Sequence, residues 1–431
     1  MVKMSSWGRL SADEHRVLRL SHNRLNAISS SPKPGLAYGM GRSYGDVCLN
    51  PGNTLWNTRQ LDYFIEFDAK TGILSCEAGV LLGEIQKIMI PRGWMLPVTP
   101  GTQFVTVGGA IANDIHGKNH HRLGSFGDHI LSLSLLRTDG QIIECSSDKN
   151  SDWFSATIGG VGLTGLITKA CVRLRPVSGP WFQSESIAYS SLKDFFQLAD
   201  DSEQDWEYTV SWVDCYSKHK GRGIFVRGNQ SDHDSPYVPP KKFSVPFTLP
   251  ISLINRFSLP AFNALYYHQH AKKKGLEFIH YEPFLYPLDN ILEWNRIYGT
   301  KGFFQYQCVI PRAQGLESIA EMLNQISASK EGSFLSVLKT FGQRDALGMM
   351  SFPEPGVTLA LDFPNKGSST LKLLTRLDSI VQAAQGRIYM AKDVRMSKAL
   401  FMQSYPRLAE FLKYKDPGIS SALSRRLMET E

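Results

Sequence analysis

Two textures of hydrophobic and polar alternation divide the chain. Across residues 35–175, short apolar runs such as 71–78 (TGILSCEA), 130–137 (ILSLSLLR) and 170–176 (ACVRLRP) are separated by Asp-Gly and Gly-Gly breaks. That pattern predicts brief strands joined by glycine turns. Residues 82–90 read as a short helix that Pro91-Arg92-Gly93 ends. From about residue 180 the strand patterns lengthen, at 208–216, 302–310, 334–341, 357–363 and 387–392. Two helices are expected among them, at 314–329 and 369–385. The second sets Leu371, Leu374, Leu377, Ile380, Val381 and Ala384 on one stripe, with Gly386 as its stop. The order from residue 302 is strand, helix, strand, strand, helix, strand. This is a split, ferredoxin-like unit with a mixed or antiparallel sheet, both helices on one face and the other face free to roof a site.

Composition narrows the class. With 431 residues, 42% hydrophobic and 20% charged, the chain is globular, and its length predicts two or three domains. The 47 basic and 40 acidic residues leave +7, too weak for nucleic acid but favourable for an anionic ligand or surface. Six cysteines are spread singly without a C-x-x-C pair, which predicts reduced, buried thiols. The N-terminus lacks the apolar core of a secretory signal. The longest apolar stretch, 243–267, is broken by Pro246, Pro250 and Pro260 and carries Asn255 and Arg256, so it does not span a bilayer. A cytoplasmic protein is expected. Lysines 241–242 and 272–274 flank that stretch, suggesting peripheral contact with an anionic membrane.

The chemistry is carried by glycine clusters and by polar residues on strands. Gly39-Met40-Gly41-Arg42-Ser43-Tyr44-Gly45-Asp46, Pro100-Gly101-Thr102 with Thr106-Val107-Gly108-Gly109, and residues 159–165 (GGVGLTG) lie within about 130 residues. One such cluster reads as tight turns; three around short strands read as a diphosphate cradle, because bare backbone lets N–H groups approach phosphate. The third contains G-x-G-x-x-G, yet a helix-like segment precedes it and a strand-like one follows, the reverse of a dinucleotide fold. Residues 114–121 (DIHGKNHH) suggest metal ligands, but Gly117 and Gly124 break the helix that would align them, so no metal is expected and a polar wall beside a cofactor is. Gln305 and Gln307 share a strand face, Lys339 interrupts an apolar run and Lys392 ends another. Two lysines and two glutamines where a structural sheet would carry aliphatics point to a polar substrate pocket.

These residues, with 97–102 (PVTPGT), 124–127 (GSFG), 293–296 (EWNR), 362–364 (DFP) and 391–393 (AKD), make the chain similar to the decaprenylphosphoryl-β-D-ribose 2-oxidase family over roughly 35–430. More broadly, its N-terminal part resembles the FAD-binding domain of the vanillyl-alcohol-oxidase and aldonolactone-oxidase group. The resemblance implies an α+β fold: a PCMH-type FAD domain over 1–179, a substrate domain over 180–386, and a segment, 387–431, returning to the first. It implies an FAD-dependent oxidase that converts the 2-hydroxyl of a polyprenyl-phospho-pentose to a ketone, the first half of an epimerisation in cell-envelope synthesis. By the same likeness, residues Ala37, Tyr38, Gly39, Met40, Gly41, Arg42, Ser43, Tyr44, Gly45, Asp46 and Val47 wrap the diphosphate. Gly101, Thr106, Val107, Gly108, Gly109, Asn113, Asp114, Ile115 and His116 line the flavin, and Ile167 and Tyr389 complete the cofactor site. Lys392 stands at the reaction centre, with Lys118, Tyr286, Gln307 and Lys339 (and His116) in the substrate pocket. Tyr44 occupies the place where many relatives tether FAD through histidine, so noncovalent FAD is expected. The implied partners are a lipid-linked pentose, a separate ketoreductase, and quinone or oxygen as electron acceptor. Two departures stand out: Ala360 where mycobacterial members carry cysteine, and Thr358 where they carry asparagine. The rival readings are a soluble sugar-lactone or alditol oxidase of the same fold and a non-catalytic, flavin-retaining scaffold.

Overall fold

A computed structural model describes residues 1–216, 221–255, 257–273 and 275–429. Of the residues singled out above, Arg256 and Lys274 lie outside these. The first half holds two sheets. In one, the strands run in the order Val2–Met4, Asp13–Ser21, Thr54–Gln60, Gly35–Tyr38, the last three mutually parallel. The other is an antiparallel sheet ordered Phe64–Asp68, Ile73–Glu77, Leu166–Arg173, Ile130–Leu136, Ile142–Ser146. The short strands and tight turns expected from the glycine pattern are present, and the helix over 82–90 appears as Leu82–Met89.

The second half is built on one eight-stranded antiparallel sheet. Its order is Leu276–His280, Trp181–Tyr189, Gly223–Ser231, Tyr208–Val213, Ser336–Phe341, Gly356–Pro364, Phe303–Ile310, Arg387–Ile388. The strand-helix-strand-strand-helix-strand run from residue 302 is there, with helices Arg312–Ser329 and Ser368–Ala383 packed on each other. A third helix, Leu192–Ser202, packs beside Arg312–Ser329. Leu338, Leu359, Leu361 and Cys308 point into the shared apolar core with these helices. By the two-residue period of a strand, the intervening residues face the other way, and that face sets Gln305, Gln307, Lys339 and Thr358 beside Val337 and Ala360.

One expected element is shorter than its sequence pattern. Residues 387–392 do not continue as a strand: only Arg387–Ile388 pair, with Cys308 and Val309. Tyr389 N–H donates to the Gln307 carbonyl at 3.0 Å, and then Lys392 and Asp393 N–H both donate back to the Tyr389 carbonyl. The chain therefore turns, and Lys392 sits on the turn rather than in the sheet. The expected strand over 334–341 similarly begins only at Ser336.

The C-terminal residues lace back onto the first half. Gly35 N–H donates to Gly418 O, Ser420 N–H donates to Gly35 O, and Asp416 accepts from Thr138 N–H at 2.8 Å. Arg426 donates to both oxygens of Asp46 and to Asp393 Oδ2 at 2.9 Å. Among the described residues no helix is long and apolar enough to cross a membrane.

Candidate active site

A cavity of about 780 Å³ runs between the glycine clusters and the polar face of the large sheet. At its first end, the loop after strand Gly35–Tyr38 is tied down at its edges: Tyr44 N–H donates to Ala391 O at 2.9 Å and Asp46 N–H to Asp393 O at 3.3 Å. Ahead of those ties the amides of Met40, Gly41, Arg42 and Ser43 meet no acceptor among the described residues. Gly41 has φ +61°, and a Cβ there would stand 2.1 Å from the Tyr38 hydroxyl, so the loop's curvature requires glycine. Ala37, Val47, Gly101, Thr106, Gly108, Gly109, Asn113, Ile115, Gly162 and Ile167 line the same space. Thr106 caps the helix Val107–Ala112, its hydroxyl accepting from Gly109 N–H. Asn113 Oδ1 is buried without a partner among the described residues. Unclaimed amides on a glycine loop and an orphaned buried acceptor fit FAD, a ligand with a diphosphate and ring N–H donors.

The second end is a chamber walled by alternate strand residues: Val210 and Trp212, Val337 and Lys339, Thr358 and Ala360, Gln305 and Gln307. The helix Ser258–Ala271 contributes Phe262 and Tyr266, with Tyr266 against Trp212 at 4.7 Å and Phe262 against Phe334 at 4.4 Å. Lys392 enters from its turn. Its Nζ lies 3.8 Å from the Tyr44 ring centroid, and burial lowers its pKa to about 7. Lys339 is likewise pushed down to about 7, by burial first and then by Lys118 and Lys392. Lys118 falls to about 8 through burial; its Nζ donates to the Phe284 carbonyl and sits 4.8 Å from that ring.

His116 joins two of these groups. Its Nδ1 is 3.1 Å from Lys339 Nζ, its Nε2 is 3.0 Å from the Gln307 amide, and Gln307 also reaches Thr358 Oγ1 at 3.2 Å. Burial and the charge of Lys339 hold the imidazole well below its usual pKa, so it is neutral and carries one N–H. The Gln307 amide N–H donates to Nε2, so Nδ1 carries the imidazole hydrogen and donates to a neutral Lys339, whose own N–H donates to the Gly117 carbonyl at 3.1 Å.

Most of the residues expected at the site meet in this cavity, and six stand behind its wall. Tyr38, Gly45, Asp46, Val107 and Asp114 support it from the cofactor side. A Cβ on Gly45 would fall 1.6 Å from Asp393 O, so this glycine lets the two loops cross. Asp114 accepts from Gly127 N–H and from Ser351 Oγ at 2.6 Å, and burial raises it to about 6. Tyr286 is buried with its hydroxyl 2.8 Å from Thr99 Oγ1. Trp7, Phe262 and Tyr266 line the cavity without having been anticipated. Trp7 has no local pattern that marks it, since only the tertiary contact with Arg42, 4.1 Å above its ring, brings it in. Thr358 takes a defined place as the hydroxyl partner of Gln307, and Ala360, opposite Gln307 in the strand register, leaves the wall open beside it.

Comparison with known proteins agrees with this arrangement. A family model described as FAD binding domain matches residues 23–146. Decaprenylphosphoryl-β-D-ribose oxidase of Mycolicibacterium smegmatis is 34% identical over 99% of this chain and 97% of its own length. D-lactate dehydrogenase of Archaeoglobus fulgidus is 33% identical over 32% of each chain. Human Δ(24)-sterol reductase is 31% identical over 26% of this chain and 22% of its own. These last two likenesses each match at most a third of the chain, whereas the mycobacterial one runs through cradle and chamber alike. An FAD-dependent oxidoreductase acting on CH–OH groups, this chain belongs to the decaprenylphosphoryl-β-D-ribose oxidase family.

Proposed function

We propose that the chain oxidises the 2-hydroxyl of a polyprenyl-phospho-pentose to a ketone, with Lys392 as the group that takes the hydroxyl proton. The observation that carries this reading is Lys392 itself: a lysine on a turn, lining the chamber, over the Tyr44 ring and held near neutrality by burial. The name of the mycobacterial relative, a decaprenylphosphoryl-β-D-ribose oxidase, supports the substrate class. Oxidising CH–OH to C=O releases a hydride equivalent and a proton. Bound FAD supplies the hydride acceptor. A neutral amine at Lys392 accepts the proton, and a pKa near the working pH suits that task. His116, Gln307 and Lys339 offer donors and acceptors in fixed directions for the remaining sugar hydroxyls. Phe262 and Tyr266 give the chamber an apolar wall.

The same reading assigns residues 1–179 with 387–431 to cofactor binding and 180–386 to substrate binding. It takes FAD as noncovalent, a ketoreductase as consumer of the keto sugar, and quinone or oxygen as reoxidant. It also takes the exposed segment around Phe243, Phe247 and Ile251 as a peripheral contact with anionic membrane, through which a prenyl tail enters. The test is anaerobic bleaching of the flavin. Polyprenyl-phosphoryl-ribose is expected to bleach it, while free sugars and 1,4-lactones leave it yellow; the reverse pattern makes the protein a soluble sugar-lactone or alditol oxidase. Lys392→Ala is expected to retain FAD and lose at least about a hundredfold in bleaching rate, the lower range for acid–base assistance. A loss below about tenfold assigns Lys392 to structure.

A further inference from the structure

Asp362 has no part in the chemistry above, yet it is fully buried in the strand Gly356–Pro364, directly opposite Gln305. A buried carboxylate is costly unless it is paired and hydrogen-bonded. Here the bonds are present: Gln305 Nε2 donates to Oδ1 at 2.7 Å and the Tyr298 hydroxyl to Oδ2 at 3.4 Å, while its own N–H donates to Ser333 Oγ at 2.9 Å. Among the described residues no basic side chain forms an ion pair with it. On the same strand as Gln305, two residues earlier, Phe303 packs edge-on against Tyr44 with ring centroids 5.7 Å apart, and the Tyr44 ring carries Lys392 Nζ at 3.8 Å. The contacts from carboxylate to ammonium therefore run through Gln305 and its strand to Tyr44 and Lys392.

We infer that Asp362 is the positioning residue of the reaction: through Gln305 and Tyr44 it holds Lys392 in place, and it compensates the charge that Lys392 acquires with a proton. The inference rests on the proposed role of Lys392. The electrostatics agree, because burial raises Asp362 to about 7 while Lys392 pulls it down, and the charge of Asp362 is what raises Lys392 against burial. Other groups face the pair. Tyr44 and Tyr298 flank it, Lys339 and His116 act across the chamber, and Arg42 and Asp289 act on Tyr44 from behind. Lys339 and His116 do not touch the carboxylate, so removing its charge falls first on Lys392. The sign follows: a nearby anion favours the ammonium, and without it Lys392 loses its proton at lower pH.

The test uses the FAD-loaded full chain and Asp362→Asn, which keeps the size and an acceptor for Gln305. Trace acetylation by acetic anhydride across pH, quantified on the Lys392 peptide by mass spectrometry, reads the lysine without substrate. Its midpoint is expected to fall by about one pH unit. The acidic limb of anaerobic flavin reduction by polyprenyl-phosphoryl-ribose is expected to move with it. A labelling midpoint that stays put overturns the inference, whatever happens to the rate. A midpoint that moves while the acidic limb does not supports Asp362 as the partner of Lys392 and overturns Lys392 as proton acceptor. Should the asparagine variant not retain FAD, Gln305→Met is the second variant. It removes the carboxylate's shortest donor and is expected to shift the labelling midpoint the same way by a smaller step; no shift there overturns the inference too.

Discussion

Tyr44 shows how much a single side chain decides. Burial pushes its hydroxyl far above the usual phenol pKa, so it stays protonated and is a poor nucleophile toward a flavin methyl group. Denatured, ultrafiltered protein is therefore expected to release all its FAD; yellow colour retained with the polypeptide would contradict this. Lys339 makes a different prediction. Its folded pKa, about 7, lies below the ordinary 10.5, so between those values the unfolded chain holds a proton that the folded one lacks. Stability then rises with pH through that window and is lowest where the buried ammonium must be carried, below about pH 7. Lys339→Met is expected to flatten the rise of Tm with pH and to raise Tm at pH 6; an unchanged slope would show that the lysine is solvated. At this scale, residue type was informative where a costly group stood on a strand, as with Lys339 and Gln307. It was silent on what Asp362 does, because a carboxylate near the end of the expected strand 357–363 reads as a solvated strand terminus until its burial is known.

At the scale of elements, the longest apolar stretch resolves into a loop and a helix with opposite sides. Ile254 and Leu259 are buried, while Phe243, Phe247, Ile251 and Phe257 are at least 64% exposed. An apolar patch of this kind, beside basic residues, suits the headgroup region of a bilayer. Lys273 is already paired with Glu277 at 3.1 Å, so its share of the attraction is reduced. Replacing Lys241, Lys242, Lys272, Lys273 and Lys274 by glutamine is expected to abolish flotation with anionic vesicles at low salt. About 1 kcal/mol per lysine near the surface sets the scale. Unchanged flotation would leave the aromatic side chains as the whole of the contact. The sequence pattern located this stretch and both long helices, yet it missed the strands Trp181–Tyr189 and Gly223–Ser231. The cavity-facing positions of the first are small and polar, Ser184 and Ser186, and a strand lining a wet chamber carries the alternation of a loop.

For the whole molecule, the site is a meeting of distant segments, and no local pattern could announce which ones meet. The glycine loop and the lysine turn are recognisable separately; that they cross at Gly45 and Asp393 is known only from the fold. Arg426 clamps that crossing, donating to Asp46 and Asp393 at once. Arg426→Ala is expected to destabilise the protein by about 2–3 kcal/mol, the usual scale for charge-assisted bonds, and to weaken FAD retention. Urea unfolding with and without added FAD reads both; a midpoint within error of the parent would make the clamp ornamental. Because FAD binds the folded state alone, a hundredfold excess over its Kd adds about 2.7 kcal/mol, and a looser cradle forfeits part of that. The crossing also has a consequence for how the protein is born. Residues near 45 leave the ribosome some 350 positions before their partners near 393 and 426. During synthesis the cofactor loop waits without its lysine turn, so the nascent chain acquires a complete redox centre only in its last moments of translation, and a ribosome stalled before residue 393 displays a flavin cradle that is unable to oxidise anything.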